Sequence, residues 1–114
     1  MSNLLDLERS DLLCSQNFIA GRWRDGKESR WLDVGNPASA QAFARVPDSG
    51  PDDATAAVDA AFAAFDSWRE TTARKRAQLL KRWHALIEAH ADDLARLMSR
   101  EQGKPLAEAR GEVA

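Results

Sequence analysis

Cysteine, tyrosine and long apolar runs are scarce in this sequence, and each scarcity excludes a class of protein. A single cysteine, Cys14, stands among 114 residues and tyrosine is absent. One cysteine cannot form an internal disulfide, so a reducing, cytoplasmic location is expected. No apolar run approaches the roughly 20 residues that cross a bilayer. The first residues also lack the basic start and apolar stretch of a secretory signal, so we expect no membrane partner.

Charge of one sign is also not in excess. The formal net charge is −2, which argues against a dedicated nucleic-acid binder, because such proteins carry a basic balance. Hydrophobic residues make up 44% and charged residues 30%, which is ordinary for a soluble globular protein. The length suffices for one small domain of about 100 to 150 residues.

The first half of the chain is predicted to be a turn-rich β region. Residues 1–16 are interpreted as a polar tail or a short helix. Phe18-Ile19 and Arg22-Trp23 flank Ala20-Gly21, which predicts a tight hairpin in which glycine supplies a positive φ. Two more short apolar runs predict two further strands, so a small antiparallel region of four strands is expected. The predicted strands are Trp31–Val34, ended by Asn36-Pro37, and Phe43–Val46, ended by Pro47.

The second half is predicted to be helical. Pro51-Asp52-Asp53 favours a helix start, since proline fits the first turn and acids suit its positive dipole end. Thr71-Thr72 offers a break and an N-cap before a second helix, with an irregularity expected around His90 to Asp92. Apolar residues recur at helical spacing on both sides of that break. They are Ala54, Ala57, Val58, Ala61, Phe62, Phe65 and Trp68, and then Leu80, Trp83, Ile87, Ala91, Leu94 and Met98.

A third helix is predicted to follow a glycine. Gly103 can take the left-handed conformation that closes a helix, and Pro105 suits a first helical turn. Leu106, Ala109 and Val113 then recur at helical spacing, without a cap before Ala114. The pattern favours the front part of something larger.

The same segment carries a family resemblance. Glu101–Val113, read as E-Q-G-K-P-L-A-E-A-R-G-E-V, closely resembles the N-terminal part of NAD(P)-dependent aldehyde dehydrogenases, above all the succinate-semialdehyde dehydrogenase branch. Three further landmarks stand in the family's order. They are Phe18–Trp23 (F-I-x-G-x-W), Asn36-Pro37-Ala38 (N-P-A) and Val46-Pro47. The resemblance covers about residues 17–114. Ala20, where the family usually has Asn, and Ser39-Ala40, where it often has Thr/Asn-Gly, depart from the pattern.

The resemblance implies an α+β fragment, with a small antiparallel β-hairpin region followed by two to three amphipathic helices. This would be the N-terminal portion of an α/β aldehyde dehydrogenase domain, truncated, over residues 17–114, after a tail at residues 1–16. The implied parent enzyme oxidises an aldehyde, with succinate semialdehyde preferred, to its acid with NAD or NADP, and assembles as a homo-oligomer. The family's catalytic cysteine, general base and cofactor-binding turn belong to segments beyond residue 114.

No catalytic, cofactor-binding or metal residue is therefore assigned in this chain, and we expect the chain alone to be inactive and to bind no cofactor. Cys14 is interpreted as an inert free thiol, because no basic residue is near it in sequence to lower its pKa. His84 and His90 are six residues apart, which does not suit two ligands on one helical face. His84 and Glu88 are spaced to share a hydrogen bond.

Charged and aromatic clusters receive structural interpretations as well. Six cations surround the second helix start, and we interpret them as a solvated face pairing with acids elsewhere rather than a phosphate patch. They are Arg69, Arg74, Lys75, Arg76, Lys81 and Arg82. In some relatives a carboxylate near Glu112 helps to hold a monovalent cation, but a surface or interhelical acid is favoured. The four tryptophans, Trp23, Trp31, Trp68 and Trp83, are interpreted as core or interface residues.

An alternative function comes from the helices themselves. Two amphipathic helices on a four-strand β patch barely offset the entropy of ordering the chain. The chain is then expected to be marginally stable, or to associate through exposed apolar surface. A non-catalytic helical interaction module, or a truncated gene product that self-associates, is therefore kept beside the enzyme interpretation.

Overall fold

The chain folds into two β-hairpins followed by four α-helices in a computed structural model that describes residues 5–114. The α+β class is confirmed, with four helices rather than two to three because the second predicted helix is divided at His90. A short 3₁₀-helix, Ser10–Leu12, precedes the hairpins. The strands are β1 (Asn17–Ile19), β2 (Arg22–Arg24), β3 (Trp31–Gly35) and β4 (Ala42–Pro47). The helices are α1 (Pro51–Arg69), α2 (Ala73–Ala89), α3 (Ala91–Gln102) and α4 (Leu106–Val113).

The first hairpin has the predicted residues and turn. Strands β1 and β2 pair antiparallel, with Phe18 opposite Trp23 and their rings 4.9 Å apart. Ala20 and Gly21 form the turn with φ angles of 54° and 74°. Two positive φ angles in a two-residue loop match the right-handed twist of the strands. Alanine adopts such a conformation only at a cost, since its Cβ crowds the backbone.

The second hairpin pairs β3 with β4. Trp31 lies opposite Pro47, and the register is interrupted between Val34 and Gly35. The loop is closed by Asn36, whose carbonyl oxygen accepts from the Ala40 N–H at 2.7 Å. The two hairpins form separate two-stranded sheets, and they confirm the predicted antiparallel β-hairpin region of four strands. Their strands do not share a hydrogen-bonded edge, which is a pairing that apolar patterning does not specify.

Helix α1 begins at Pro51, as predicted, and its start is tied to the loop between β2 and β3. The carboxylate of Asp53 accepts from the Gly50 N–H at 3.3 Å and from the Lys27 N–H at 3.1 Å. The Lys27 ammonium lies 2.5 Å from the Asp52 carboxylate. Acids in the first turn satisfy free N–H groups and complement the helix dipole. This end of α1 is therefore fixed to the β region.

Helices α2 and α3 are separated at the predicted irregularity. Thr72 is the N-cap of α2, and its hydroxyl accepts from the Lys75 N–H at 3.3 Å. His90 ends α2 and begins α3, with φ −119° and ψ 22°. The N-cap prediction at Thr72 is therefore confirmed, and the irregularity is a helix break at His90.

Helix α3 ends at a left-handed glycine. Gly103 has φ 71° and its N–H donates to the Ser99 carbonyl at 2.9 Å, which is the bond that the prediction requires. A Cβ at this position would lie 2.7 Å from Cγ of Pro37. Pro105 stands just before α4 as its N-cap rather than inside its first turn. The glycine thus permits both the turn and close approach to the second hairpin.

The buried interior is small, and the molecule is extended. The buried apolar residues are Leu5, Leu7, Ile19, Ala95 and Ala109. The radius of gyration is 16.8 Å, against about 13 Å expected for a compact domain of this size. Residues 1–4 of the predicted tail lie outside the described residues, and the boundary at residue 16 stays a prediction. The segment before the 3₁₀-helix is nevertheless attached to α3 through the N–H groups of Glu8 and Arg9, which donate to Asp93. Its Leu5 and Leu7 are buried.

Candidate functional site

The buried charged group of the described chain is Asp93, in the first turn of α3. Its side chain is 4% exposed, and its two carboxylate oxygens accept from the Glu8 N–H at 3.0 Å and the Arg9 N–H at 2.9 Å. These two bonds attach the start of the chain to a helix 84 and 85 positions away. Sequence reasoning missed this role, because an acid in a first helical turn is expected to bind its own helix end.

The electrostatics of Asp93 favour attachment over proton transfer. The Arg9 N–H bond, followed by the Glu8 bond, holds the pKa of Asp93 below its usual range, and the charges of His90 and Arg96 act in the same direction. Hydrogen bonds to a carboxylate stabilise its charged form. A carboxylate stabilised in this way is a poor general base near neutral pH. Asp93 therefore has a structural role.

Cys14 lies in a turn after the 3₁₀-helix and is partly exposed. Its N–H donates to the Leu12 carbonyl at 3.1 Å. Within residues 5–114 its thiol has no hydrogen-bonding or charged partner. A nucleophilic thiolate needs such a partner for activation, so the interpretation of Cys14 as an inert thiol stays in place as a prediction.

The two histidines lie in different surroundings. His84 Nε2 is 3.7 Å from the Glu88 carboxylate, and both side chains are exposed. This separation exceeds a hydrogen bond, so the expected hydrogen bond is not formed. His90 Nε2 lies 3.3 Å from Arg9 Nη1 at the junction of α2 and α3. Across residues 5–114, no three His, Cys, Asp or Glu side chains are grouped to hold a metal ion.

The basic cluster around the start of α2 acts partly on the helix before it. Arg76 donates from Nε to the Thr71 carbonyl at 2.9 Å and from Nη2 to the Arg69 carbonyl at 2.8 Å. Its guanidinium also lies 5.5 Å from the ring centroid of Trp68. Carbonyls at a helix end favour a nearby cation. Arg76 therefore stabilises the end of α1, although its sequence position suggested only an unfavourable place near the start of α2.

The other members of the cluster are mostly unpaired. Arg69 lies 3.2 Å from the Asp66 carboxylate. Four further cations form no ion pair with any residue in the range 5–114, and they are Arg74, Lys75, Lys81 and Arg82. The expectation that some of them meet acids across an interface is untested within one chain.

The carboxylate of Glu112 forms an ion pair with a neighbouring lysine side chain. Its carboxylate pairs with the ammonium of Lys104, which joins the α3–α4 turn to the last turn of α4. Glu112 therefore has a partner in the structure, which agrees with its interpretation as an interhelical acid. Lys104 also provides the carbonyl that accepts from the Ser99 hydroxyl at 2.8 Å, which rigidifies the same turn.

Large apolar side chains are exposed along α1 and α2. We name them the α1–α2 apolar surface, and its members are Val58, Phe62, Phe65, Trp68, Leu79, Leu80, Trp83 and Leu86. Phe62 is 79% exposed and Trp83 64%. Neither helix contains a buried residue. Apolar patches of this extent mark surfaces that contact another polypeptide.

The tryptophans are not among the buried residues. Trp23 is 55% exposed and Trp68 44%. Trp31 is half-buried beneath the guanidinium of Arg45, which lies 4.6 Å from its ring centroid. The core alternative for these residues is therefore wrong, and the interface alternative stays a prediction. An apolar groove of about 580 Å³ adjoins Trp83, with Ile87, Leu94 and Met98 in its lining.

This arrangement of hairpins and helices matches a known family. The model of the aldehyde dehydrogenase family matches residues 23–114. The chain belongs to the aldehyde dehydrogenase family. It is 47% identical over 109 residues to the NADP-dependent succinate-semialdehyde dehydrogenase of Escherichia coli, covering 96% of this chain and 23% of that enzyme. It is 46% identical over 110 residues to the 3-sulfolactaldehyde dehydrogenase of Pseudomonas putida, with the same coverage of 96% and 23%.

Solved structures contain the same arrangement. The crystal structure of an NADP-dependent enzyme of Escherichia coli superposes with a TM-score of 0.92 at 48% identity, over 94% of this chain and 22% of that one. The succinate-semialdehyde dehydrogenase of Burkholderia pseudomallei gives 0.92 at 40% identity, over 95% and 22%. The matches extend over nearly the whole chain, including most of the predicted tail. The chain thus spans under a quarter of the length of these relatives.

Two further findings limit the functions that the site supports. Among residues 5–114, no helix is both long enough and apolar enough to cross a membrane. The described titratable groups attach the start of the chain to α3, cap helices or form exposed ion pairs. They do not place a nucleophile beside a base. The candidate functional feature of this chain is therefore the α1–α2 apolar surface.

Proposed function

We propose that this chain is the N-terminal supporting portion of an aldehyde dehydrogenase. The complete enzyme oxidises an aldehyde to its acid with NAD or NADP, and succinate semialdehyde is the preferred substrate. The branch of relatives supports this choice, since a succinate-semialdehyde dehydrogenase is 47% identical over 96% of this chain. Homo-oligomeric assembly of the complete enzyme, a cytoplasmic location and the absence of a nucleic-acid partner belong to the same proposal.

The observation that carries the proposal is the α1–α2 apolar surface. Helices of 19 and 17 residues have no buried residue, whereas an amphipathic helix is stable in a protein mainly through burial of one face. The matched relatives are more than four times longer than the matched segment, because the chain covers 23% of them. The remainder of such a fold is the natural cover for Phe62, Phe65 and Trp83.

The chemistry of the complete enzyme is supplied by other segments. In the complete enzyme, a cysteine thiolate would attack the carbonyl carbon of the aldehyde, a bound nicotinamide would supply the hydride acceptor, and an activated water would hydrolyse the resulting thioester. We expect the residues of this chain to supply neither the nucleophile nor the general base for these steps. Their part is to position the helices on which the catalytic segments rest. The chain alone is expected to form no NADH or NADPH from succinate semialdehyde.

A chimaera tests the supporting role. The matching N-terminal part of the Escherichia coli relative is replaced by this chain, and NADPH formation from succinate semialdehyde is followed by absorbance. We expect activity within about tenfold of the parent enzyme, because the two segments are 47% identical and cores tolerate hydrophobic substitutions that keep volume and patterning. A matched variant, Phe62→Asp, is expected to lose most activity, and Phe62→Leu to retain it. A soluble, folded chimaera without activity would contradict the supporting role.

The substrate is tested on the native gene. The genomic sequence after the codon for Ala114 is read, and we expect a catalytic cysteine to be encoded in frame or after a frameshift. The encoded enzyme is then assayed with succinate semialdehyde, glutarate semialdehyde and 3-sulfolactaldehyde, the aldehydes named for the relatives. Fastest turnover of succinate semialdehyde is expected. Faster turnover of either other aldehyde would refute the substrate choice and leave the supporting role intact.

One observation favours the alternative of a non-catalytic interaction module. The surface that would be covered in the complete enzyme is open in this chain, and exposed apolar helices bind other polypeptides. The occupant of that surface in the isolated chain is therefore a separate question.

A further inference from the structure

We draw no further inference here: the strongest candidate, the side-chain cluster at the start of α3 where Asp93 holds the N-terminal segment and His90 contacts Arg9, belongs to the site already described.

Discussion

Helices α3 and α4 differ from α1 and α2 in what they bury. The first pair contains Asp93, Ala95 and Ala109, which are 4%, 0% and 0% exposed. The second pair contains no buried residue although it is longer. Helix α3 also binds the start of the chain, through the N–H groups of Glu8 and Arg9 that donate to Asp93. One side of the molecule is therefore packed, and the other has its apolar face ready for contact.

The difference shows that amphipathic patterning does not by itself make a core. Phe62 and Trp83 belong to the apolar patterns of α1 and α2, yet they are 79% and 64% exposed. Helices α3 and α4 contact each other, and Ala95 and Ala109 on them are 0% exposed, as small residues in a closely packed interior are. Burial depends on the presence of a second surface, which α1 and α2 do not find within the described residues.

The largest effect that distinguishes the two sides is expected from enlarging one buried alanine. Ala95→Leu adds volume where the side chain is 0% exposed, and overpacking typically costs about 1 to 3 kcal/mol. The matched change Ala61→Leu lies on exposed α1 and is expected to alter the free energy of unfolding by less than about 0.5 kcal/mol. Urea unfolding followed by circular dichroism measures both. Equal losses in the free energy of unfolding of the two variants would contradict the difference in packing between the two sides.

Substitutions of two glycines test the structure of the packed α3–α4 side. Gly103→Ala forces a Cβ into the left-handed region and to within 2.7 Å of Pro37, and is expected to cost about 1 to 2 kcal/mol or more. Gly111→Ala lies in α4 with nothing within 4 Å of the new Cβ. It is expected to stabilise the chain by up to about 1 kcal/mol through helix propensity. Thermal unfolding compares them, and a shift of the same sign in both would contradict this reading of the turn.

Two alanines offer a smaller effect on the β side. Ala20 and Ala40 have φ angles of 54° and 56°, and both stand where the sequence departs from its family's Asn and Gly. Ala20→Asn and Ala40→Gly are each expected to stabilise the chain by about 0.5 to 1 kcal/mol.

The control for this pair is Ala64→Gly in the middle of α1, which is expected to cost about 1 kcal/mol. Chemical unfolding of the three variants gives the comparison. A loss of stability in Ala40→Gly as large as in Ala64→Gly would show that the left-handed turn is not formed in solution.

The smallest expected effect is local and depends on pH. Folding lowers the pKa of Asp93 below its ordinary value of 3.8. Its bonds to Glu8 and Arg9 therefore stabilise the fold fully above about pH 4 and are lost as pH falls through the lowered pKa. Hydrogen exchange at the Glu8 and Arg9 amides is expected to lose its protection in that range.

The variant Asp93→Asn provides the control for the acid effect. It removes the titrating group, so the two amides should show weaker protection at pH 7 and no change in protection between pH 5 and pH 3. The other acids with a lowered pKa, Asp11 and Asp52, are bound to Arg9 and Lys27 and stay in the variant. Unchanged acid sensitivity in Asp93→Asn would assign the effect to them.

Local features were predictable from the sequence, because their causes are local. The Ala20-Gly21 turn, the start of α1 at Pro51, the Thr72 cap and the end of α3 at Gly103 each depend on residues within four positions. The resemblance carried by Glu101–Val113 also identified the family before the fold was known.

Long-range features were not predictable in the same way. The attachment of Glu8 and Arg9 to Asp93 joins positions 84 and 85 residues apart. No periodic pattern in the sequence indicates this contact. The separation of the two hairpins into two sheets is likewise a matter of tertiary packing. The tryptophans were expected in a core or an interface, and none of them is among the buried residues of the described chain.

Hydrogen exchange of the same residues in two settings tests the central claim most directly. The chain is measured at a concentration where it is monomeric, and again as part of the active chimaera with the Escherichia coli relative. We expect protection of α1 and α2 to rise by at least about tenfold in the chimaera, with a smaller change in α3, because only the α1–α2 apolar surface gains a cover. Equal protection of α1 and α2 in both settings would contradict the account.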